Sequence, residues 1–147
     1  MYDAKEQEKR DMSKPIRRSE LAISPRLAKI MINLSQVQEG QVIIDPFCGV
    51  GVILQEVLLQ KIKIIGIDKD KEVLSDAKKN LEWANFPKEN YRLINEDSTK
   101  VKTEKADVIV TEPHLGVLLK EIPSGQESKK ILNDFDNLMI RVLNNLK

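Results

Sequence analysis

Acidic residues stand at the ends of three short apolar runs that are typical of buried parallel strands. They are Asp45 after residues 42–44, Asp68 after residues 63–67, and Asp97 after residues 91–94. Parallel sheets bind ligands at the carboxyl ends of their strands, so we expect these three side chains to lie around one site. Carboxylates in such a site accept hydrogen bonds from the amino and hydroxyl groups of a ligand.

The turn after the first run, residues 45–51, reads Asp-Pro-Phe-Cys-Gly-Val-Gly and is called the glycine turn below. Gly49 and Gly51 allow a tight turn and a close approach of a ligand to the backbone. The third glycine of the dinucleotide-binding fingerprint is missing, and Asp45 would repel a pyrophosphate. S-adenosylmethionine carries an ammonium and a sulfonium, so its charge fits this turn better than that of a nucleotide. We interpret Cys48 as a packing residue or a backbone contact rather than a thiol nucleophile.

The second and third acids fit an adenosine. Asp68 can accept hydrogen bonds from both ribose hydroxyls, although it also suits the N-cap of a helix that begins near Asp70. Asp97 can accept from the adenine amino group while the backbone amide of Ser98 donates to a ring nitrogen, and an ordinary polar turn is the alternative. Because the glycine turn precedes them in the chain, we favour adenosine binding at both positions.

A fourth turn, residues 111–116, reads Thr-Glu-Pro-His-Leu-Gly and follows a predicted strand at residues 107–110. Pro113 restricts the turn and therefore the position of Glu112. A carboxylate held there can accept hydrogen bonds from an exocyclic amine and so aim the amine lone pair at a sulfonium methyl. We predict Glu112, Pro113 and His114 as the catalytic residues. The alternatives are a turn with Glu112 exposed and a packing or surface role for His114 instead of base stacking.

Helices are predicted between the strands. Ser24 and Pro25 form a cap and a first-turn proline, and the apolar pattern after them stops at Gly40. Further helical patterns cover residues 52–60, 70–83 and 128–146. Strands that alternate with helices predict an α/β fold with a Rossmann-like, doubly wound parallel sheet.

The length of 147 residues suits one compact domain, which we place at residues 21–147 after a charged arm at residues 1–20. A net charge of +1 neither demands nor excludes a nucleic-acid partner. The arm is either a solvated segment or a strip that contacts RNA phosphates. Its basic residues are Lys9, Arg10, Lys14, Arg17 and Arg18.

The single cysteine cannot form an internal disulfide, which suits a reducing compartment. No apolar run approaches the roughly 18 residues that span a bilayer, and residues 1–14 lack the apolar core of a signal peptide. No group of His, Cys and acidic residues has metal-ligand spacing. We therefore expect a cytoplasmic protein with neither a membrane segment nor a metal.

Residues 17–116 resemble the THUMP-associated RNA methyltransferases, specifically the archaeal and eukaryotic tRNA guanosine N2-methyltransferases. Residues 23–28 look like the helix start that contacts the methionine end of the cofactor in that family, and residues 42–51 resemble its Asp-Pro-Phe-Cys-Gly-x-Gly loop. The resemblance implies a Rossmann-like methyltransferase that binds S-adenosylmethionine. The cofactor-binding residues assigned in this way are Ser24, Pro25, Asp45, Pro46, Phe47, Cys48, Gly49, Gly51, Asp68, Lys69, Asp97, Ser98 and Glu112.

The chain departs from the family pattern in two ways. Residues 112–115 read Glu-Pro-His-Leu where the family has Asp-Pro-Pro-Tyr or Asn-Pro-Pro-Tyr, so the second proline and the aromatic residue that stacks on a flipped base are replaced. The family's catalytic domain has seven strands in the order 3-2-1-4-5-7-6, whereas four are predicted here. We therefore expect strand four to form an edge of the sheet. The short strand count predicts a form truncated after strand four and the following helix, a split enzyme, or a subunit that pairs with a second chain or a second copy.

The resemblance implies methyl transfer from S-adenosylmethionine to an exocyclic amine of an RNA base, guanosine N2 in tRNA. A DNA adenine or protein-amine methyltransferase would use the same cofactor. A catalytically silent subunit that binds the cofactor or RNA within a larger methyltransferase assembly also fits the altered motif at residues 112–115. All three functions stay open at the level of the sequence.

Overall fold

A computed structural model of the chain describes residues 8, 12–16, 23–113, 119 and 121–147. Within these residues, four parallel strands form one sheet, and helices connect or flank them. The elements are α1 (Pro25–Leu34), β1 (Val42–Asp45), α2 (Val52–Leu59), β2 (Lys63–Asp68), α3 (Lys71–Trp83), a 3-10 helix (Lys88–Asn90), β3 (Tyr91–Asn95), β4 (Val108–Ile109) and α4 (Gly125–Asn145).

The strand order is β3-β2-β1-β4, and every neighbouring pair is parallel. From β1 the chain moves outward through β2 to β3, and it then returns to the other side of β1 to form β4. The strand order therefore reverses between β1 and β4, and sheets of this kind bind ligands at that point, outside the carboxyl ends of the strands. The predicted Rossmann-like, doubly wound α/β fold is confirmed.

Apolar side chains cover both faces of the sheet, because successive strand residues point to opposite sides. Ile43 and Ile64 belong to one cluster together with buried residues of α1, α2 and α3. Ile44 and Ile65 belong to a second cluster, against which Leu146 packs from the end of α4. The two central strands are thus buried on both faces, which holds the residues at their carboxyl ends in place.

The first helix begins as predicted and ends sooner. Ser24 is its N-cap and Pro25 its first residue. The helix ends at Leu34 rather than near Gly40, because Gln36 adopts a left-handed backbone conformation with φ of +55°. The short loop that follows leads into β1.

The last helix begins earlier than the predicted residue 128, at Gly125. Ser124 and Glu127 form a capping box at this end of the helix. The Ser124 hydroxyl oxygen accepts from the Glu127 amide over 3.3 Å, and the Glu127 carboxylate accepts from the Ser124 amide over 2.8 Å. These two bonds stabilise an extra turn that the apolar pattern alone does not indicate.

The predicted inward face of α2 is confirmed, since Ile53, Val57 and Leu58 are all buried. The apolar stripe of α4 behaves differently, because Val142 is fully buried whereas Leu132 is 62% exposed. None of the helices within the described ranges combines the length and apolarity that crossing a membrane requires.

Candidate functional site

Asp45 is the last residue of β1 and is 1% exposed. Its Oδ1 accepts hydrogen bonds from the Phe47 amide over 3.1 Å and from the Thr111 hydroxyl over 2.6 Å. Its Oδ2 is buried and has no hydrogen-bond partner among the residues that the structure describes. A buried carboxylate oxygen is costly unless a donor satisfies it. The end of β1 therefore offers an acceptor for an amino group of a ligand.

The carboxyl group of Asp45 is partly protonated and partly ionised near neutral pH. Burial, and then repulsion from the carboxylates of Asp68 and Glu112, raises the pKa of Asp45 to about 7. The hydrogen bonds from Thr111 and Phe47 oppose this rise in the pKa. A cationic group beside Asp45 would favour its ionised form.

The glycine turn carries the chain from β1 into α2. Gly49 and Gly51 have φ values of +52° and +86°, in the left-handed region that favours glycine. The amide of Cys48 donates to the Ile67 carbonyl over 2.9 Å, which fastens the turn to β2. A Cβ at Gly51 would lie 3.4 Å from that of Ala77, whereas no atom of the described residues lies within 4 Å of a Cβ at Gly49. The described part of the chain thus leaves space at Gly49 through which a ligand can reach the backbone.

Asp68 is the last residue of β2 and holds the glycine turn from the other side. Its Oδ2 accepts from the Gly49 amide over 3.0 Å, and its Oδ1 accepts from the Asp70 amide over 2.9 Å. Asp70 caps α3 by accepting from the Glu72 amide over 2.9 Å, so the alternative interpretation of Asp68 as the helix N-cap is wrong. Each carboxylate oxygen of Asp68 keeps a second lone pair with which it can accept from a hydroxyl group.

Asp97 and Ser98 follow β3 and are fixed by hydrogen bonds. Asp97 Oδ1 accepts from the amide and the hydroxyl of Thr99 over 2.8 and 2.7 Å, and these bonds hold the pKa of Asp97 below its usual value. The Ser98 hydroxyl donates to the Pro46 carbonyl over 2.5 Å. The loop after β3 is therefore joined to the glycine turn through Ser98, and Asp97 is ionised at neutral pH.

A cleft of about 50 Å³ brings the glycine turn and the turn after β4 together. It is lined by Ile23, Asp45, Phe47, Cys48, Gly49, Val50, Val52, Ile53 and Glu112. Pockets that enclose a small molecule typically measure roughly 300–1,000 Å³, so this cleft has room for only one end of a ligand. Asp68 contacts the wall of the cleft, because its carboxylate accepts from the Gly49 amide. Asp97 is further away, since it is the neighbouring Ser98 that donates to the Pro46 carbonyl of the glycine turn.

A larger concavity of about 410 Å³ is formed by the segment before α4 and the first turns of that helix. Its lining residues are Leu119, Glu121, Ile122, Pro123, Glu127, Lys130, Ile131 and Asp134. It contains neither an acid at a strand end nor a glycine turn, and most of these side chains are exposed. Without a buried polar group in its wall it has little to bind a ligand specifically, so the smaller cleft is the candidate site.

The predicted catalytic residues are only partly described. Glu112 is exposed and lines the cleft with Asp45, and Pro113 is half-buried. His114 lies outside the described residues. The structure therefore brings Glu112 to the site and leaves the base-stacking role of His114 as a prediction.

The predicted residues at the start of α1 and after β2 have peripheral positions. Ser24 uses its side chain to cap α1 by accepting from the Leu27 amide over 3.2 Å, and Ile23 just before it lines the cleft. Lys69 is exposed. Direct contact of Ser24, Pro25 and Lys69 with a cofactor stays a prediction.

Cys48 is 5% exposed, and burial raises the pKa of its thiol above its usual range. A thiol that stays protonated is a poor nucleophile, which supports the interpretation of Cys48 as a packing residue. In the part of the chain that the structure describes, no group of three or more His, Cys, Asp or Glu side chains could hold a metal ion.

One basic residue of the N-terminal arm is packed against the domain. Lys14 is 8% exposed, so the expectation of a solvated side chain is wrong at this position, whereas contact of the arm with RNA stays a prediction. Ile16 forms two backbone hydrogen bonds with the side chain of Asn80, which fixes this part of the arm. The other basic residues of the arm lie outside the described residues; they are Lys9, Arg10, Arg17 and Arg18.

Three polar residues that support the site were not predicted from the sequence. Thr111 bonds Asp45, Asn80 bonds the Val50 carbonyl in the glycine turn over 3.0 Å, and Asn95 bonds the backbone after β2. The signal for Thr111 was a hydroxyl directly after a buried strand, next to a predicted catalytic acid. The signal for Asn80 was an amide within the apolar face of a helix.

A family model described as an RMKL-like methyltransferase domain matches residues 16–145. The chain is 35% identical over 115 residues to the tRNA (guanine(10)-N2)-dimethyltransferase of Methanothermobacter thermautotrophicus. That alignment covers 78% of this chain and 33% of the relative, so the chain spans about a third of the length of this relative.

Solved structures with the same fold agree with the family model. TrmN from Thermus thermophilus has a TM-score of 0.68 and 19% identity, with 84% of this chain and 34% of that chain covered. An RNA methyltransferase from Salinibacter ruber in complex with S-adenosyl-L-homocysteine has a TM-score of 0.56 and 21% identity, with 60% of this chain and 58% of that chain covered. At these identities the similarity establishes the fold alone.

Proposed function

The chain belongs to the RMKL-like methyltransferase domain family, and we propose that it transfers a methyl group from S-adenosylmethionine to an exocyclic amine of an RNA base, guanosine N2 in tRNA. The observation that carries this proposal is the buried Oδ2 of Asp45, which has no hydrogen-bond partner among the described residues. Asp45 is also one of the residues that line the same cleft as Glu112. An acceptor for a cationic amino group thus lies beside a second carboxylate that can orient an amine.

The residues at the strand ends fit S-adenosylmethionine in charge and in hydrogen bonding. Asp45 would hold the ammonium group, Asp68 would accept from the ribose hydroxyls, and Gly49 leaves space for close approach to the backbone. Asp97 would accept from the adenine amino group, with the Ser98 amide donating to a ring nitrogen. The bound cofactor supplies a methyl group on a positively charged sulfur. The Salinibacter ruber protein, which shares the fold and was solved with S-adenosyl-L-homocysteine, supports this choice.

Glu112 would perform the catalytic work by orientation. Its carboxylate accepts a hydrogen bond from the N–H of the substrate amine and holds the nitrogen lone pair toward the transferred methyl. Pro113 restricts the backbone beside it. Because Glu112 is exposed, a large substrate such as a folded RNA can reach it from solvent. We assign base stacking to His114.

The choice of RNA as substrate rests on the relatives. The protein from Methanothermobacter thermautotrophicus is named a tRNA (guanine(10)-N2)-dimethyltransferase, and the two solved structures include one named an RNA methyltransferase. The neutral exocyclic amine of a base offers two N–H donors, and the carboxylate of Glu112 can accept a hydrogen bond from one of them. DNA and protein amines are the rival substrates. Incubation of labelled S-adenosylmethionine with tRNA, DNA or protein distinguishes them from RNA.

We also propose that a second chain or a second copy pairs with β4. Within the described residues β4 is the edge of the sheet, and Ile109 in it is 37% exposed. Edge strands present free backbone donors and acceptors to another strand. If a second copy pairs, light scattering after size-exclusion chromatography should give a mass above that of one chain, and a monodisperse monomer would contradict pairing between copies.

The central test measures binding and transfer separately. Calorimetric titration with S-adenosyl-L-homocysteine measures cofactor binding, and labelled S-adenosylmethionine incubated with tRNA, DNA or protein measures transfer. We expect binding, and transfer to tRNA alone. Glu112→Gln should retain binding and lose about 100-fold or more in transfer rate. Glu89→Gln, a matched change of an exposed residue in the 3-10 helix, should leave both unchanged.

Each failure has a distinct meaning. A wild-type protein that binds no S-adenosyl-L-homocysteine overturns the cofactor assignment. Binding without transfer to any substrate favours the catalytically silent subunit. The replacement of the second proline and the aromatic residue in residues 112–115 also supports that alternative. Transfer to DNA or protein overturns the RNA assignment, and an unchanged rate in Glu112→Gln removes Glu112 from the mechanism.

A further inference from the structure

Thr111 and Asp45 are 66 residues apart in the chain and are joined by a hydrogen bond of 2.6 Å. The parallel pairing of β4 with β1 brings them together, since Ile44 pairs with Ile109 and the Val110 amide donates to the Ile44 carbonyl over 3.1 Å. Thr111 is half-buried and directly precedes Glu112. One side chain therefore connects the acid at the end of β1 to the turn that carries the predicted catalytic acid.

We propose that Thr111 is a positioning residue whose hydroxyl holds Asp45 ionised and oriented for the amino group of S-adenosylmethionine. By occupying Oδ1, the hydroxyl leaves the buried Oδ2 as the acceptor for the ligand. The inference rests on the proposed function for the identity of the ligand. The link between Thr111 and the ionisation of Asp45 can be tested without any ligand.

The surroundings of Asp45 explain why such a donor is needed. Among the described residues, the charged side chains that act on it are Asp68 at the end of β2 and Glu112 after β4, and both are acidic. The adjacent Cys48 thiol is neutral because burial raises its pKa. Two donors act against this repulsion, the Phe47 backbone amide and the Thr111 hydroxyl. Among the described residues Thr111 is thus the side chain that favours the ionised form of Asp45 by donating a hydrogen bond to it.

The first readout is the titration of Asp45 in the ligand-free protein, followed by carbon-detected NMR of its carboxyl group. The wild-type pKa is about 7. Thr111→Val, which keeps the shape and removes the donor, should raise this pKa by about one unit. Thr111→Ser restores the donor and should titrate within about 0.3 unit of the wild type.

The second readout is the pH profile of S-adenosyl-L-homocysteine binding. Thr111→Val should bind about fivefold more weakly than the wild type near pH 7 and within about 1.5-fold of it near pH 8.5, where Asp45 is ionised in both proteins. A role that is merely structural would weaken binding equally at every pH. Thr111→Ser should follow the wild-type profile.

Either of two results would overturn the inference: a pKa of Asp45 that is unchanged in Thr111→Val, or a loss of affinity that does not depend on pH. If Thr111→Val does not fold, Thr111→Ala removes the same donor with less bulk and should give the same upward shift. A wild-type protein that binds no S-adenosyl-L-homocysteine would defeat the proposed cofactor, while the titration of Asp45 would still decide the role of Thr111.

Discussion

The side-chain amide of Asn80 donates a hydrogen bond over 3.0 Å to the backbone carbonyl of Val50, in the glycine turn. The same side chain donates to the Ile16 carbonyl over 3.2 Å and accepts from the Ile16 amide over 3.1 Å. Asn80 is fully buried. One residue of α3 therefore joins the N-terminal segment to the turn that forms the candidate site.

Replacing Asn80 by Ala should destabilise the protein by about 2–4 kcal/mol, because the change removes three hydrogen bonds and leaves backbone groups unpaired. Urea unfolding measures this loss in the free energy of unfolding. Limited proteolysis should also cut near Ile16 faster than in the wild type. Asn133→Ala, at an exposed position of α4, is the matched control and should change stability by less than about 0.5 kcal/mol. Equal stability of the two variants would contradict the anchoring role of Asn80.

The stability of the protein should depend on pH through Asp45. Its pKa is raised from 3.8 to about 7 in the folded state, so the folded protein binds a proton more tightly than the unfolded chain. The stability that this group contributes is complete below about pH 4 and is lost as the pH rises to about 7, by on the order of 4 kcal/mol. Asp45→Asn removes this titration, so its stability relative to the wild type should increase from about pH 4 to about pH 7.

Thermal or urea unfolding of both proteins across this pH range tests the prediction, because other titrating groups cancel in the difference. The same variant should bind S-adenosyl-L-homocysteine more weakly, since an amide does not attract an ammonium group. A stability difference that stays constant with pH would show that Asp45 does not titrate as described.

Gly66 in β2 should not tolerate a side chain. A Cβ there would lie 2.9 and 3.0 Å from the two terminal carbons of Leu54 and 3.2 Å from the Cβ of Cys48. Leu54 is fully buried and has little room to move. Gly66→Ala should therefore cost about 1–3 kcal/mol and disturb the glycine turn through Cys48.

Gly125→Ala is the matched control for this change. Gly125 is the first residue of α4, and no atom in the described part of the chain lies within 4 Å of an added Cβ. The control should be neutral or stabilising by up to about 1 kcal/mol, because alanine favours a helix. Urea unfolding compares the two variants, and an unaffected Gly66→Ala protein would contradict the packing described for β2.

Cys48 is the only cysteine in the sequence and should be unreactive in the folded protein. Burial first, and then the carboxylates of Asp45 and Asp68, raise the pKa of its thiol, so the thiolate is scarce at alkaline pH as well. A thiol reagent should label the native protein on the order of 100-fold more slowly than the protein in urea. Rapid labelling of the folded protein would show that the glycine turn opens readily.

Much of this architecture follows from local patterns in the sequence. The apolar runs at β1, β2 and β3, the cap and proline at Ser24 and Pro25, and the inward face of α2 were all predicted and are confirmed. Such features depend on residues a few positions apart, whose spacing directly reflects strand or helix geometry. The acids at the strand ends were found for the same reason, because Asp45 and Asp68 directly follow an apolar run and Asp97 follows one after two further residues.

The contacts between these acids and their partners were decided only by the tertiary structure. Asp45 meets Thr111 because β4 pairs with β1, and Asn80 meets Ile16 because α3 packs against the N-terminal segment. These pairs are separated by 66 and 64 residues. Which distant residues meet depends on strand order, register and helix packing, and a local pattern of residues does not specify these. For that reason the sequence indicated which acids lie near the strand ends, while the fold determined which of their oxygens accept hydrogen bonds within the described residues and that Oδ2 of Asp45 accepts none.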